Sequence, residues 1–105
     1  SIRAGEILDI ESHPTLSDGT AGGVEEGAIT FDLCKKHVDD FILVTEEEIS
    51  EAMRSFIEKE HLLIEGAAAV AIAGFLKLKN DYLDQKVVII ICGGNIGLET
   101  IKKIL

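Results

Sequence analysis

Apolar residues recur along this chain with several spacings, and each spacing predicts a different element. After Thr45, the residues Ile49, Ala52, Met53, Phe56 and Ile57 return at three- and four-residue steps, the stripe of an amphipathic helix. Its start is marked locally. Thr45-Glu46-Glu47-Glu48 has the capping-box pattern, Val44 and Ile49 stand where a hydrophobic staple would, and three glutamates suit the positive end of the helix dipole. The triple-Glu cluster is therefore read as helix N-terminal chemistry rather than as a metal site. A second helix is predicted over Ala28 to Val38, with Ile29, Phe31, Cys34 and Val38 on its inner side. Gly66 to Leu76 has small residues on all sides, which predicts a helix packed closely on more than one face. Asn95 can cap a last helix whose Leu98, Ile101, Ile104 and Leu105 share one side.

Three other runs read as strands. Glu6 to Glu11 alternates loosely around Ile7, Leu8 and Ile10, and Phe41 to Val44 forms a short buried run. Val87-Val88-Ile89-Ile90-Ile91 is continuously β-branched, the mark of a strand buried on both faces in a parallel sheet. Strands alternating with helices give an α/β class with a largely parallel sheet. Three strands leave such a sheet open, so the chain reads as incomplete. Ser12 to Gly27, SHPTLSDGTAGGVEEG, holds four glycines and the only proline. A loop that long is either a mobile surface crossing or a functional loop.

Composition narrows the class. A chain of 105 residues fits one domain, and a mean hydropathy of +0.26 excludes disorder. The net charge of −9 repels polyanions, which argues against nucleic acid and anionic membrane as partners. That charge is uneven, because residues 66–105 carry five basic groups and only three acidic ones. Two cysteines, Cys34 and Cys92, are too few for a disulfide framework. The longest apolar run, Gly66 to Leu76, is about half the ~20 residues of a membrane span, and no leader-like segment opens the chain. The expectation is a soluble, cytoplasmic unit.

Candidate chemistry gathers at few places. In open parallel sheets, ligands bind at the carboxyl ends of strands, and Cys92 stands there after Ile91. Gly93 and Gly94 follow, permitting unusual backbone angles or the close approach of a flat ligand. Glycines at 93, 94 and 97 fail the dinucleotide fingerprint, so the turn alone is equally a tight turn. Glu65 lies between LLI and GAAAVAIAG, where an unpaired carboxylate is costly to bury; it is either a helix-start residue facing solvent or one facing a site. His13, His37 and His61 have no metal-ligand spacing with either cysteine, and no nucleophile elbow or Walker loop is present.

The stretches PTLSDGTAGGVEEGAITFDLCKKHVDDFILVTEEEI, LLIEGAAAVAIAGFL and VVIIICGGNIG, in that order, strongly resemble the C-terminal part of the threonine/serine dehydratases. These are pyridoxal-phosphate enzymes of the tryptophan synthase β-like fold (fold type II), with serine racemase as a relative. The resemblance spans almost the whole chain. It implies a partial three-layer α/β structure and a place for Cys92 beside the pyridine nitrogen of pyridoxal 5'-phosphate, a position usually Ser and sometimes Cys. It also implies that Gly93, Gly94 and Asn95 shape this end of the pocket, that Glu65 lies near the same ring edge, and that Asp18 and Gly19 border the substrate side. Under it, the long loop and Glu65 read as functional.

The resemblance equally marks what lies elsewhere. The lysine that holds the cofactor as a Schiff base, in a Ser-Phe-Lys-type motif, and the tetraglycine phosphate loop do not occur in these residues; nor do the family's divalent-cation ligands. Lys35, Lys36, Lys59, Lys77, Lys79, Lys86, Lys102 and Lys103 lack that context. The expectation is a C-terminal segment of the large cofactor-binding domain, without catalytic or metal residues of its own and inactive alone. The intact enzyme would turn L-threonine or L-serine into a 2-oxo acid and ammonia, with a missing N-terminal portion and a homo-oligomer as partners. Alternatives are a related amino-acid racemase, a dehydratase of a modified hydroxy-amino acid, or a non-catalytic acidic interaction module of this fold.

Overall fold

Helices form wherever the local signals were complete. The computed structural model describes residues 1–105, with α1 at Ile29–His37, α2 at Glu46–Glu60, α3 at Gly66–Leu78 and α4 at Leu98–Ile104. Short 3-10 turns occupy Asp18–Thr20, inside the long loop, and Lys79–Tyr82, directly after α3. The chain divides into two compact units. One comprises Ser1–Pro14 with Ala21–Ile42, and the other Thr15–Thr20 with Leu43–Leu105.

In the second unit, α2 supplies the main wall of the core. Its predicted stripe is borne out: Ile49, Ala52 and Met53 are buried, and Phe56 and Ile57 pack against them half-buried. They meet Ile64, Ala68, Ala69 and Ala73 of the α3 region and Ile104 of α4. Alanines on α3 let its axis approach α2 closely, and the large buried side chains of the core are Ile49, Met53, Ile64 and Ile104. Arg54 joins α2 to α4, donating to Ser50 Oγ at 2.7 Å and to the Ile104 carbonyl at 2.9 Å. The last helix starts one turn-step later than expected, with Gly97 rather than Asn95 at its N-cap, and Leu98 and Leu105 stay exposed.

The capping box forms as read from the sequence. Thr45 Oγ1 accepts from the Glu48 amide at 3.1 Å, while Glu48 Oε2 accepts from the Thr45 amide at 2.9 Å. That second bond holds the Glu48 carboxyl below the usual glutamate value, against a desolvation that raises it, with the Lys77 ammonium 3.4 Å away assisting. A depressed folded-state pKa contributes stability that is present above the ordinary glutamate range and is lost as pH falls through the lowered value. Acid titration followed by circular dichroism should therefore show α2 loosening in that window. Glu48→Gln keeps the box and should flatten that part of the profile; an unchanged acid limb in Glu48→Gln would remove Glu48 as its source.

In the first unit, α1 leaves its expected inner side open. Ile29 is 76% exposed and Val38 41% exposed, with only Phe31 and Cys34 half-buried. No residue of this unit is fully buried. Its ties are polar: Arg3 donates to the Phe41 carbonyl at 3.0 Å and lies 3.7 Å from the Asp40 carboxylate.

The sheet is where expectation and structure part. None of Glu6–Glu11, Phe41–Val44 or Val87–Ile91 is a strand, and no strand occurs in the 105 residues. Leu43 and Val88 are 87% and 85% exposed, so neither run is buried as expected. The physical reason is that a strand is defined by hydrogen bonds to a neighbour distant in sequence. A β-branched run states a preference for such a neighbour, and no segment of these residues supplies one.

Candidate functional site

The head of α3 gathers the candidate residues. Glu65 is the backbone N-cap, and its carbonyl accepts from the amides of Ala68 and Ala69, each at 3.1 Å. Its own amide donates to the Gly93 carbonyl at 3.2 Å, which joins the 92–94 turn to the helix start. The Glu65 side chain makes no capping bond. Instead its carboxylate lies over Gly93, where an added Cβ would overlap the carboxyl group. The half-buried Glu65 thus stands at the helix start, as one of its two readings had it, with its carboxylate turned towards the glycine turn. The positive end of α3 favours that negative charge.

Space, not torsional freedom, explains the glycine pair. Neither Gly93 nor Gly94 has a positive φ. A Cβ on Gly94 would stand 3.0 Å from the Leu63 carbonyl oxygen, and one on Gly93 would displace Glu65. Cys92, immediately before them, is exposed and free of disulfide. Asp18 and Gly19 reach the same helix from the loop: the Gly19 backbone passes over Ala67, whose Cβ would be 3.4 Å from an added Gly19 Cβ. One residue earlier on α3, Gly66 meets the Leu16 peptide so closely that a Cβ would fall on the Leu16 carbonyl. Both Asp18 and Gly19 are exposed.

The loop is held from its other side by Glu46. One carboxylate oxygen accepts from Thr15 Oγ1 and the other accepts from the Leu16 amide at 2.8 Å. Thr15 Oγ1 accepts in turn from the Ser17 amide at 3.1 Å, and the Ser17 carbonyl accepts from the Thr20 amide at 3.0 Å. Ser17 is buried, and its hydroxyl is paired with that of Thr20. Sequence reasoning saw Glu46 only as a first-turn acid and did not single out Thr15, Ser17 or Gly66. These contacts span 30 or 31 residues between Glu46 and the loop, and no periodicity announces them. A cleft of about 610 Å³ lies in the first unit between Glu6, Asp9, Glu26 and Phe31, and none of the candidate site residues lines it.

The Glu65 carboxylate and the Cys92-Gly93-Gly94 turn thus lie together at the start of α3. The space that a Cβ on Gly93 would take is occupied by the Glu65 carboxylate. The chain belongs to the pyridoxal-phosphate dependent enzyme family, whose model matches residues 1–93.

Among its relatives, an L-threonine ammonia-lyase of Thermotoga maritima is 42% identical over 105 residues, covering 100% of this chain and 26% of the relative. The catabolic L-threonine dehydratase of Escherichia coli is 38% identical over 106 residues, covering 99% of this chain and 32% of the relative. Among solved structures, a serine racemase from Dictyostelium discoideum superposes with a TM-score of 0.80 at 37% identity, covering 92% of this chain and 31% of that one. The chain thus spans between a quarter and a third of these proteins.

Proposed function

We propose that these residues are the C-terminal part of the large cofactor-binding domain of a pyridoxal-phosphate-dependent L-threonine/L-serine dehydratase. The observation that carries this reading is the meeting of Glu65, the Cys92-Gly93-Gly94 turn and the Asp18-Gly19 turn on the first turn of α3. Likeness to a threonine ammonia-lyase over the chain's whole length supports it. In the intact protein, L-threonine or L-serine would lose its β-hydroxyl and then its nitrogen, leaving a 2-oxo acid and ammonia.

Bound pyridoxal phosphate would supply electron withdrawal from the substrate's α-carbon, which makes the α-proton removable. This chain would set the strength of that withdrawal. The Cys92 thiol is a weak hydrogen-bonding partner and does not hold a ring nitrogen protonated as a carboxylate would. Moderate withdrawal favours expulsion of the β-hydroxyl over side reactions. Gly93 and Gly94 would shape this end of the ring pocket, with the Glu65 carboxylate filling the space beside Gly93. Asp18 and Gly19 would border the amino acid. Proton removal falls to a lysine outside these residues.

The runs Phe41–Val44 and Val87–Ile91 would pair into a mostly parallel sheet with strands from the rest of the polypeptide, which is the nearest partner on this reading. A homo-oligomer and a cytoplasmic location accompany it. Purified full-length protein loaded with pyridoxal phosphate should release ammonia and a 2-oxo acid from L-threonine or L-serine, while residues 1–105 alone should release none. Exclusive conversion of L-serine to D-serine would turn the reading towards a racemase. Ammonia release by the 105-residue chain would defeat the assignment of proton removal to a residue elsewhere.

A further inference from the structure

Building on the dehydratase reading, we propose that Glu46 is a positioning residue that fixes the Asp18-Gly19 turn, at the substrate side, through a two-oxygen clamp on Thr15 and Leu16. Each carboxylate oxygen has its own donor, the Thr15 hydroxyl on one and the Leu16 amide at 2.8 Å on the other. From there the bonds run without a break into the turn. Thr15 Oγ1 accepts from the Ser17 amide, and the Ser17 carbonyl accepts from both the amide and the hydroxyl of Thr20, each at 3.0 Å. Asp18 and Gly19 lie between those last two anchors. The Leu16 peptide is held on both edges, its N–H by Glu46 and its carbonyl by the bare backbone of Gly66.

Helix initiation does not account for Glu46. Thr45 and Glu48 already complete the capping box of α2, and Glu47 brings negative charge to the same turn. Glu46 differs from both in reaching 30 residues back along the chain. The loop it grips is also singular: Thr15–Thr20 packs with Leu43–Leu105, although the chain on either side of it belongs to the other compact unit. The hydrogen bonds within this six-residue stretch shape the turn internally, and the Glu46 carboxylate ties that shape to α2. Displacement of a substrate-bordering turn weakens binding before it alters the chemical step, because the reacting atoms are held elsewhere.

The test uses the full-length, cofactor-loaded enzyme with E46A, E46Q and E47A. Glutamine can accept from the Leu16 amide through its oxygen and donate to Thr15 Oγ1 through its nitrogen, so E46Q preserves the clamp without the charge. E46A should raise KM for the hydroxy-amino acid by about tenfold with kcat within about twofold, while E46Q and E47A stay near wild type. Deuterium uptake across residues 15–20 should accelerate in E46A alone. Equal KM in E46A and wild type, or the same rise in E47A, would overturn the proposal; so would unchanged uptake. Wild-type enzyme that releases no ammonia from threonine or serine would instead overturn the dehydratase reading beneath it, and this proposal with it. If E46A fails to fold, T15V removes one of the two bonds, and a KM equal to wild type there would likewise overturn the clamp.

Discussion

Gly66→Ala is expected to destabilise the protein by about 2–4 kcal/mol, although the same change in most helices is neutral or helpful. Alanine is worth about 1 kcal/mol more than glycine inside a helix, from propensity alone. Here the new methyl would land on the Leu16 carbonyl, and the atom in the way is backbone, which cannot rotate aside. Overpacking of this kind costs typically ~1–3 kcal/mol and more when the backbone must move, so sterics win over propensity. The displaced peptide is also the one Glu46 holds, and its hydrogen bond to the charged carboxylate would be strained with it. Urea denaturation of the intact protein measures the loss. A change within about 0.5 kcal/mol, the ordinary scatter of surface substitutions, would mean that the loop yields freely and that the contact with α3 does not order it.

Cys92→Asp is the second large effect, and it is chemical. On the proposed reading, an aspartate beside the ring nitrogen would hold it protonated and strengthen electron withdrawal beyond what elimination uses best. Ammonia release by the intact enzyme should fall at least about tenfold, equivalent to roughly 1.4 kcal/mol in the barrier. The visible absorbance of the bound cofactor should change as well. Cys92→Ser keeps a weak, uncharged partner and should retain both rate and spectrum. Because Cys92 is exposed and sits among no core residues, neither substitution should disturb folding, and thermal melting provides that control. An aspartate variant with wild-type rate and spectrum would detach Cys92 from the ring.

Much of the helical framework was legible because its signals are local. The start and the buried face of α2 follow from a threonine, a glutamate three residues on, and the apolar stripe after them, all within one stretch of chain. The close packing of α3 was likewise visible in its run of alanines and glycines. Where a helix boundary was missed, at Gly97 instead of Asn95, the sequence offered two acceptable starts within one turn and local rules did not separate them. Glu65 could be singled out because it breaks an apolar pattern, and Cys92 and Gly93 because they follow the β-branched run ending at Ile91, although what Glu65 does there could not.

What the sequence by itself determined, then, is the set of helices, the α2 stripe that lines the core of the second unit, and family membership through its linked motifs. The tertiary structure decided the relations between distant residues. It turned the Glu65 carboxylate away from capping and over Gly93, brought the Leu16 peptide against Gly66, and gave Glu46 its two donors in the loop. It also left Val87–Ile91 without a strand beside it. The physical reason is common to all four. Capping and periodicity are satisfied within a turn or two of the same helix. A close backbone approach, a long-range carboxylate clamp and a sheet pairing each need a partner tens of residues away, which only the packing of elements can bring.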